Sequence, residues 1–285
     1  MTALGTQPSV SFAHDGTMLE LLRNLYRDFE AQLPNLETLR RATGEINAKG
    51  DAQRGFDVAA HDWVKSWLIE HCDGGLIESE EATKGTSFGP SGSGYRFVVD
   101  PVDGSDNFAR GLPLAALSVA VLPREASVGV ETVLAALVGD AQGGWSAIAE
   151  RGVGSFSGTE QLATSGTARV EEAAISCELN HWAPPKSFAR VIASVRAVRC
   201  YGCASRAISL VASGRLDAHV DVRGRLTPES FLAAARVLEE AGGALCTARG
   251  QALGPFQNIR ERTTLVAAAT KELANEIVEQ LGRDE

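Results

Sequence analysis

Basic residues and long apolar runs are what this sequence is short of. Its 285 residues include 27 Lys or Arg against 36 Asp or Glu, a formal net charge of −9. That balance excludes a general affinity for nucleic acid or for an anionic membrane surface, and leaves room only for a local basic pocket. The longest largely apolar run, Leu112 to Leu122, is about half of the roughly 20 residues a membrane-spanning helix needs. The opening "MTALGTQPSVSFAHDG" has neither the basic stretch nor the apolar core of a secretory signal, so a cytoplasmic protein is expected. Cysteine is sparse and odd in number, five in all, which does not make a secreted disulfide framework. Cys200 and Cys203 form a C-x-x-C, but no second Cys or Cys/His pair stands at zinc spacing. The pair therefore reads as two small residues around Gly202 rather than as half a zinc or redox site. The five histidines are scattered without an H-E-x-x-H pattern, and neither a G-x-S-x-G elbow nor a Walker-type loop occurs.

What is present is an ordinary soluble composition, 44% hydrophobic and 22% charged, with a length that suits one large or two moderate domains. Residues 1–15 read as a loose polar arm. Helical periodicity starts at Thr17 and continues to about Ile46, broken near Pro34. "VAAHDWVKSWLIEHC", 58–72, is a further amphipathic helix, with Trp63, Trp67 and Leu68 on its apolar side. "LIESEE" ends a strand in acids, and "TKGTSFGPSGSG", 83–94, reads as a mobile loop. Strands are expected at 95–99, 115–122 and 132–139, with a hairpin in "GGWSAIAERGVGSF". Beyond a polar link near Gly158 to Thr167, strand and helix alternate: "AAISCEL", "PKSFARVIASV", "AVRCYG", "SRAISLVASG", "LDAHVDV", "TPESFLAAARVLEEAGG", "TTLVAAAT" and "KELANEIVEQL". The pattern divides the chain into an α+β half, 1–165, and an α/β half, 166–285.

The chemistry concentrates in "DPVDGSDNFARG", 100–111. Asp100, Asp103 and Asp106 crowd a turn between two apolar runs. Such acids repel unless a cation sits among them, although Asx-turn and capping roles account for a turn of this kind without any ion. Read with Glu80, the carboxylates of Asp100 and Asp103 come from two strand ends, the arrangement that collects a hard cation. Magnesium takes oxygen ligands and keeps water and phosphate oxygens in its shell. The backbone carbonyl of Val102 could join that shell. Gly104 lets the chain turn, and Ser105 offers a hydroxyl able to orient a water.

"ESEE", "DPVDGSDNFARGLPLAALSVAV", "AERGVGSF", "VASGRLDAHV", "LEEAGG" and "GPFQNIRERTTLVAA" together resemble the inositol monophosphatase family. This is a branch of the metal-dependent, lithium-sensitive phosphatases that also includes fructose bisphosphatases. The resemblance runs in order from about residue 18 to 283. It implies a layered αβαβα sandwich with the site between its halves, a homodimer, and a magnesium-dependent phosphomonoesterase for a small polyol phosphate such as an inositol or sugar phosphate. It further implies Glu80, Asp100, the Val102 carbonyl and Asp103 as metal ligands, and Ser105 paired with Asp62 to activate the attacking water. Gly104 and Ser105 would offer N–H groups to phosphate, and Asp221 would contact substrate hydroxyls. The family's reaction is direct attack by metal-activated water.

One block departs. Ten residues before Glu240, where the family carries an aspartate for the second metal, this chain has Ser230, preceded by Glu229. A serine hydroxyl is a much weaker magnesium ligand than a carboxylate. Glu229 lies about 100° away around the helix and would reach the site only if the turn shifts. Thr227, Pro228 and Glu229 also make a complete helix start without any metal: N-cap, first-turn proline and a dipole-compensating acid. Asp106 adds a charge where many relatives have threonine, and Lys49-Gly50-Asp51 only loosely matches the family's metal-site loop. The departure opens an alternative, a relative that binds a ligand without hydrolysing it or performs a changed reaction on a polyhydroxy substrate. Arg110, Arg223 and Arg225 are candidates for an anion, against a solvated-surface role.

Overall fold

The computed structural model of the chain describes residues 17–39, 42–46, 52–90, 92, 94–180 and 182–282. Lys49, Gly50, Asp51 and the arm 1–15 lie outside the described residues.

Two helices, α1 (Met18–Glu30) and α2 (Leu33–Glu37), open the fold, and α1 starts on a capping box. The Thr17 hydroxyl accepts from Glu20 N–H at 3.2 Å while the Glu20 carboxylate accepts from Thr17 N–H at 2.8 Å, so two orphan donors satisfy each other. Pro34 lies in the first turn of α2 rather than between the helices, a position where its missing N–H costs nothing. Ala42–Ile46, expected as helix, is strand β1, paired with β2 (Ala52–Arg54) ahead of α3 (Gly55–His71).

The first large sheet comprises β3 (Gly75–Ser79), β4 (Thr86–Phe88), β5 (Tyr95–Asp103), β6 (Ala116–Pro123), β7 (Ala135–Asp140), β8 (Ser146–Glu150), β9 (Gly154–Ser157) and β10 (Glu160–Gln161). Its order is β10-β9-β8-β7-β6-β5-β3-β4, antiparallel except for the parallel β3/β5 pair. The segment expected as a mobile loop at 83–94 thus contributes β4, registered against β3 from Gly75↔Phe88 to Ile77↔Thr86. Between β5 and β6 the chain forms a short helix, α4 (Ser105–Arg110), where a simple turn was expected.

The second sheet contains β11 (Ala174–Cys177), β12 (Ala197–Arg199), β13 (Ala218–Leu226), β14 (Ala244–Cys246) and β15 (Thr263–Ala268), in the order β12-β11-β13-β15-β14. Its helices are α5 (Lys186–Ser194), α6 (Ala204–Ala212), α7 (Pro228–Glu240) and α8 (Lys271–Gly282).

Strand alternation sorts these elements into layers. On β5, Phe97 and Val99 face α1 and α3, whereas Val98 faces α6 and α7. On β15, Leu265 and Ala267 join α6 and α7, whereas Val266 and Ala268 face α5 and α8. The result is the expected αβαβα sandwich, with α6 and α7 as its middle layer. Helix α7 is buried from Pro228 to Leu238 although it carries Glu229, Ser230 and Arg236, the last paired with Glu239 and Glu240. Gly139 on β7 is required by a close approach: a Cβ there would lie 2.1 Å from the Tyr26 ring of α1. Among the described residues no helix is long and apolar enough to cross a membrane.

One buried polar residue makes the fold pH-sensitive. His219 on β13 is fully buried, with Nδ1 2.9 Å from the Ser176 hydroxyl and no partner for Nε2 among the described residues. Burial lowers its pKa to about 4, so the folded protein holds it neutral. The unfolded chain takes up its proton near pH 6.5, so the stabilisation is complete above that pH and is lost as pH falls towards 4. Chemical denaturation of wild type and His219→Gln is expected to show a stability difference that narrows between pH 6.5 and 4, by on the order of 3 kcal/mol. Parallel pH profiles would contradict this.

Candidate active site

The site is assembled where β5 ends. Between Asp100↔Ser118 and Asp103↔Ala116 the β5/β6 register slips, so the D-P-x-D segment forms a bulge. Pro101 sits in that bulge, where its missing N–H does not interrupt a ladder. The extra residue bends the strand and separates the paths of its two aspartates. Gly104 follows with φ 83°. A Cβ there would lie 2.8 Å from the Leu114 carbonyl and 3.0 Å from Cys203 Cβ, so only glycine fits.

The two aspartates are held by the middle layer. Asp103 Oδ2 accepts from Ser205 N–H at 2.7 Å, the Ser205 hydroxyl at 2.6 Å and the Cys203 thiol at 3.2 Å. All three donors lie at the start of α6, the positive end of the helix. Cys203 is therefore a buried thiol beside a carboxylate, and Cys200 is exposed; both are free. Asp100, buried at 1% exposure, accepts from the Ser230 hydroxyl of α7 at 3.3 Å. Asn107 ties α4 to the same region, donating to the Leu114 carbonyl at 2.8 Å and the Tyr201 carbonyl at 2.5 Å.

The hydroxyl of Ser105 donates to Asp57 Oδ1 at 2.8 Å, with the Val102 carbonyl 2.9 Å away as a second acceptor. The partner expected here was Asp62, but Asp62 is exposed and ion-paired to Lys65 at 2.5 Å. Five residues apart, the two aspartates of α3 differ by about 140° in direction. Asp57 stands on the stripe of Ala60, His61, Val64 and Leu68 that α3 buries. An acid on a buried helical stripe was the available signal. Its other oxygen accepts from Arg54 N–H at 3.1 Å. Burial pushes the Asp57 carboxyl up to about 7, against the lowering effect of the Ser105 hydrogen bond. The additional charge of Asp106 is met by an ion pair with Arg54, which fastens α4 to the start of α3.

The remaining candidates fall into place around this group. Glu80, in the turn after β3, is buried at 8% exposure. Glu229 turns back along α7, where its carboxylate accepts from the Thr227 hydroxyl. Thr227 is the N-cap residue by backbone position, but its side chain does not cap the helix. Asp221, expected to meet substrate hydroxyls, is fully buried behind Arg223. Its Oδ1 takes Arg223 N–H and Nε at 3.0 Å each, and its Oδ2 takes Nη2 at 2.7 Å. Arg223, rather than Asp221, lines the adjoining cavity of about 300 Å³, together with Asp103 and Ser230. Arg110, at the end of α4, is exposed and lies apart from that cavity.

The donor set of Glu80, Asp100, Val102 and Asp103 is all oxygen, which suits a hard cation. Among the described residues, no three of His, Cys, Asp and Glu come close enough together to hold one. Asp103 is held to the start of α6 and Asp100 to Ser230.

The profile of the inositol monophosphatase family matches residues 22–283. A fructose-1,6-bisphosphatase/inositol-1-monophosphatase of Thermococcus kodakarensis is 28% identical over 264 residues, covering 92% of this chain and 96% of that one. A histidinol-phosphatase of Mycobacterium tuberculosis is 32% identical over 209 residues, 70% of this chain and 75% of that one. Among solved structures, an inositol monophosphatase-fructose 1,6 bisphosphatase superposes with a TM-score of 0.78 at 23% identity, covering 93% of this chain and all of that one. The inositol monophosphatase from Anabaena gives 0.72 at 18% identity, over 93% and 95%. The chain belongs to the inositol monophosphatase family and is by class a phosphoric monoester hydrolase.

The two aspartates of α3 are separable by mutation. Asp57→Asn is expected to lower kcat for phosphate release by about 100-fold, because an amide oxygen is a far weaker acceptor for the Ser105 hydroxyl than a carboxylate. Asp62→Asn is expected to leave kcat within about twofold, as surface changes generally do. The reverse ranking in steady-state assays would return the role to Asp62.

Proposed function

We propose that this protein hydrolyses the monoester of a small polyol phosphate, an inositol or sugar phosphate, with magnesium as its cation. The observation that carries the reading is the pairing of buried Asp57 with half-buried Ser105, set against the D-P-x-D bulge. The Ser105 hydroxyl has one hydrogen and two acceptors in reach, Asp57 Oδ1 and the Val102 carbonyl. Committed to Asp57, it keeps its lone pairs for a water and leaves the Val102 carbonyl for a cation. That water is thereby oriented with its oxygen towards a phosphorus held beside Gly104 and the first turn of α6. Asp57, with its pKa near neutrality, is suited to accept a proton through the serine hydroxyl. Magnesium would supply neutralisation of the phosphate and acidification of the attacking water, with Glu80, Asp100, Asp103 and the Val102 carbonyl as the oxygen donors that would have to draw together to hold it.

The direct test is phosphate release from a panel of inositol, sugar and nucleotide monophosphates across a magnesium titration. Magnesium-dependent release with a preference for a polyol phosphate is expected, and Asp103→Asn is expected to reduce it by about 100-fold or more. Undiminished release from the Asn variant would overturn the assignment.

A second reading, a ligand-binding relative without turnover, is favoured by Ser230 standing 3.3 Å from Asp100 where a carboxylate would complete a second cation site. Ser230→Asp separates the readings. It places two carboxylates in contact, so without metal the variant is expected to melt below wild type, and magnesium is expected to raise its Tm by more than it raises that of wild type. If turnover also rises by about tenfold or more, the natural site is a weakened phosphatase. An unchanged magnesium response would show that position 230 does not face a cation.

A further inference from the structure

One acid of the cavity takes no part in activating the water. Glu178, just beyond the end of β11, lines the cavity with Asp103, Ser230, Arg223, Arg225 and Arg262. It is buried at 3% exposure, and its Oε1 accepts from Gly202 N–H at 2.9 Å. Its Oε2 has no hydrogen-bond partner among the described residues, yet it is not sealed within the protein and opens on the cavity. Burial pushes the Glu178 carboxyl up to about 7. Arg223 and the Gly202 N–H oppose that rise, and nearby Asp103 and Asp221 add to it. Near neutral pH the group is therefore able to carry a proton. With Oε1 held as an acceptor, that proton resides on Oε2.

The place of this proton follows from Gly202. A Cβ on Gly104 would lie 3.1 Å from the Gly202 carbonyl, so the residue that holds Glu178 packs directly on Gly104. Asp57 and Ser105 approach that turn from α3 and the first sheet, and Glu178 approaches it from the second. In an in-line displacement the water arrives on one side of phosphorus and the ester oxygen departs on the other. No other group on the cavity wall is free to protonate that oxygen. Guanidinium groups do not release a proton. The Ser230 hydroxyl is given to Asp100 at 3.3 Å, and Asp221 is committed to Arg223. Asp103 Oδ2 is saturated by the three donors at the start of α6.

Resting on the phosphatase reading above, we infer that Glu178 is the general acid of the reaction, giving the proton on Oε2 to the ester oxygen as it leaves. The bond from the water oxygen to phosphorus forms while one proton of the water passes through the Ser105 hydroxyl to Asp57. The bond from phosphorus to the polyol oxygen breaks, its electron pair stays on that oxygen, and the Glu178 proton completes the free hydroxyl. Solvent then takes the proton from Asp57 and returns one to Glu178, so phosphate and an alcohol are the products. An alkoxide is a poor leaving group, and a positioned acid is the general remedy for that.

Leaving groups of different basicity test this on the full chain in magnesium. Glycerol 2-phosphate and inositol 1-phosphate release alkoxides, which need the proton, whereas p-nitrophenyl phosphate releases a phenolate that is stable without it. Glu178→Gln keeps an acceptor for Gly202 N–H and removes only the acidic proton. It is expected to lower kcat for the two alkyl esters by about 100-fold or more, and kcat for the aryl ester by about threefold or less. Calorimetric affinity for inositol 1-phosphate, with calcium in place of magnesium, is expected to stay within about twofold of wild type. Equal losses on both kinds of ester, no loss on either, or wild-type turnover of the aryl ester alone would overturn the inference and leave a phosphatase. A loss confined to affinity would make Glu178 a binding residue and overturn it as well. Wild-type protein that releases phosphate from none of the three esters would reject the phosphatase reading, and the inference with it.

Discussion

The carboxylate of Asp103 against the start of α6 is the contact on which the rest of this site depends. It joins the last residue of a strand in the first sheet to a helix of the middle layer that belongs, in sequence, to the second half. A backbone N–H of the helix N-terminus, a hydroxyl and a thiol converge on a single oxygen, and such charge-assisted bonds are about twice as strong as neutral ones. The same helix is pinned from below, where Arg206 meets Asp140 at 2.6 Å and lies 4.0 Å over the Trp145 ring. With α6 fixed at both places, Gly202 and Cys203 are held against Gly104, and the cavity acquires its floor. A site made this way cannot belong to either sheet alone.

How much of this was legible in the sequence follows from the range of the interactions. The layers were legible because they depend on local periodicity and on motifs that occur in order along the chain. The D-P-x-D segment was legible as a strand end because proline and glycine constrain the backbone where they stand. What was not legible was direction. Asp57 and Asp62 are both acids on one helix, and only the buried stripe of Ala60, Val64 and Leu68 separates them. Asp221 was placed correctly on its strand, yet its role depends on Arg223 two residues later, which folds back over it. Strand 86–88 was missed because its three residues lie within a Gly-, Ser- and Pro-rich stretch, and their order comes from pairing with β3.

Features of the cavity share a physical direction. At position 230 a hydroxyl stands beside Asp100, and at 221 a carboxylate is covered by Arg223. Arg225 and Arg262 line the same cavity and form no ion pair with any described residue. Each leaves the site less negative, in a chain whose overall charge is −9. The pocket therefore runs against the charge of the whole, which concentrates attraction for an anion where field lines are confined by low-dielectric walls.

That balance bears on position 230. A second cation at such a site would offset the charge of a phosphate and stabilise the departing oxygen. Fixed guanidinium groups can supply part of the same neutralisation, without the coordination geometry and without release into solvent. They cannot acidify a water, so the Asp57–Ser105 pair becomes more important as the cation contribution falls. Position 230 and the arginines of the cavity thus bear on one quantity, the positive charge that faces an anion there.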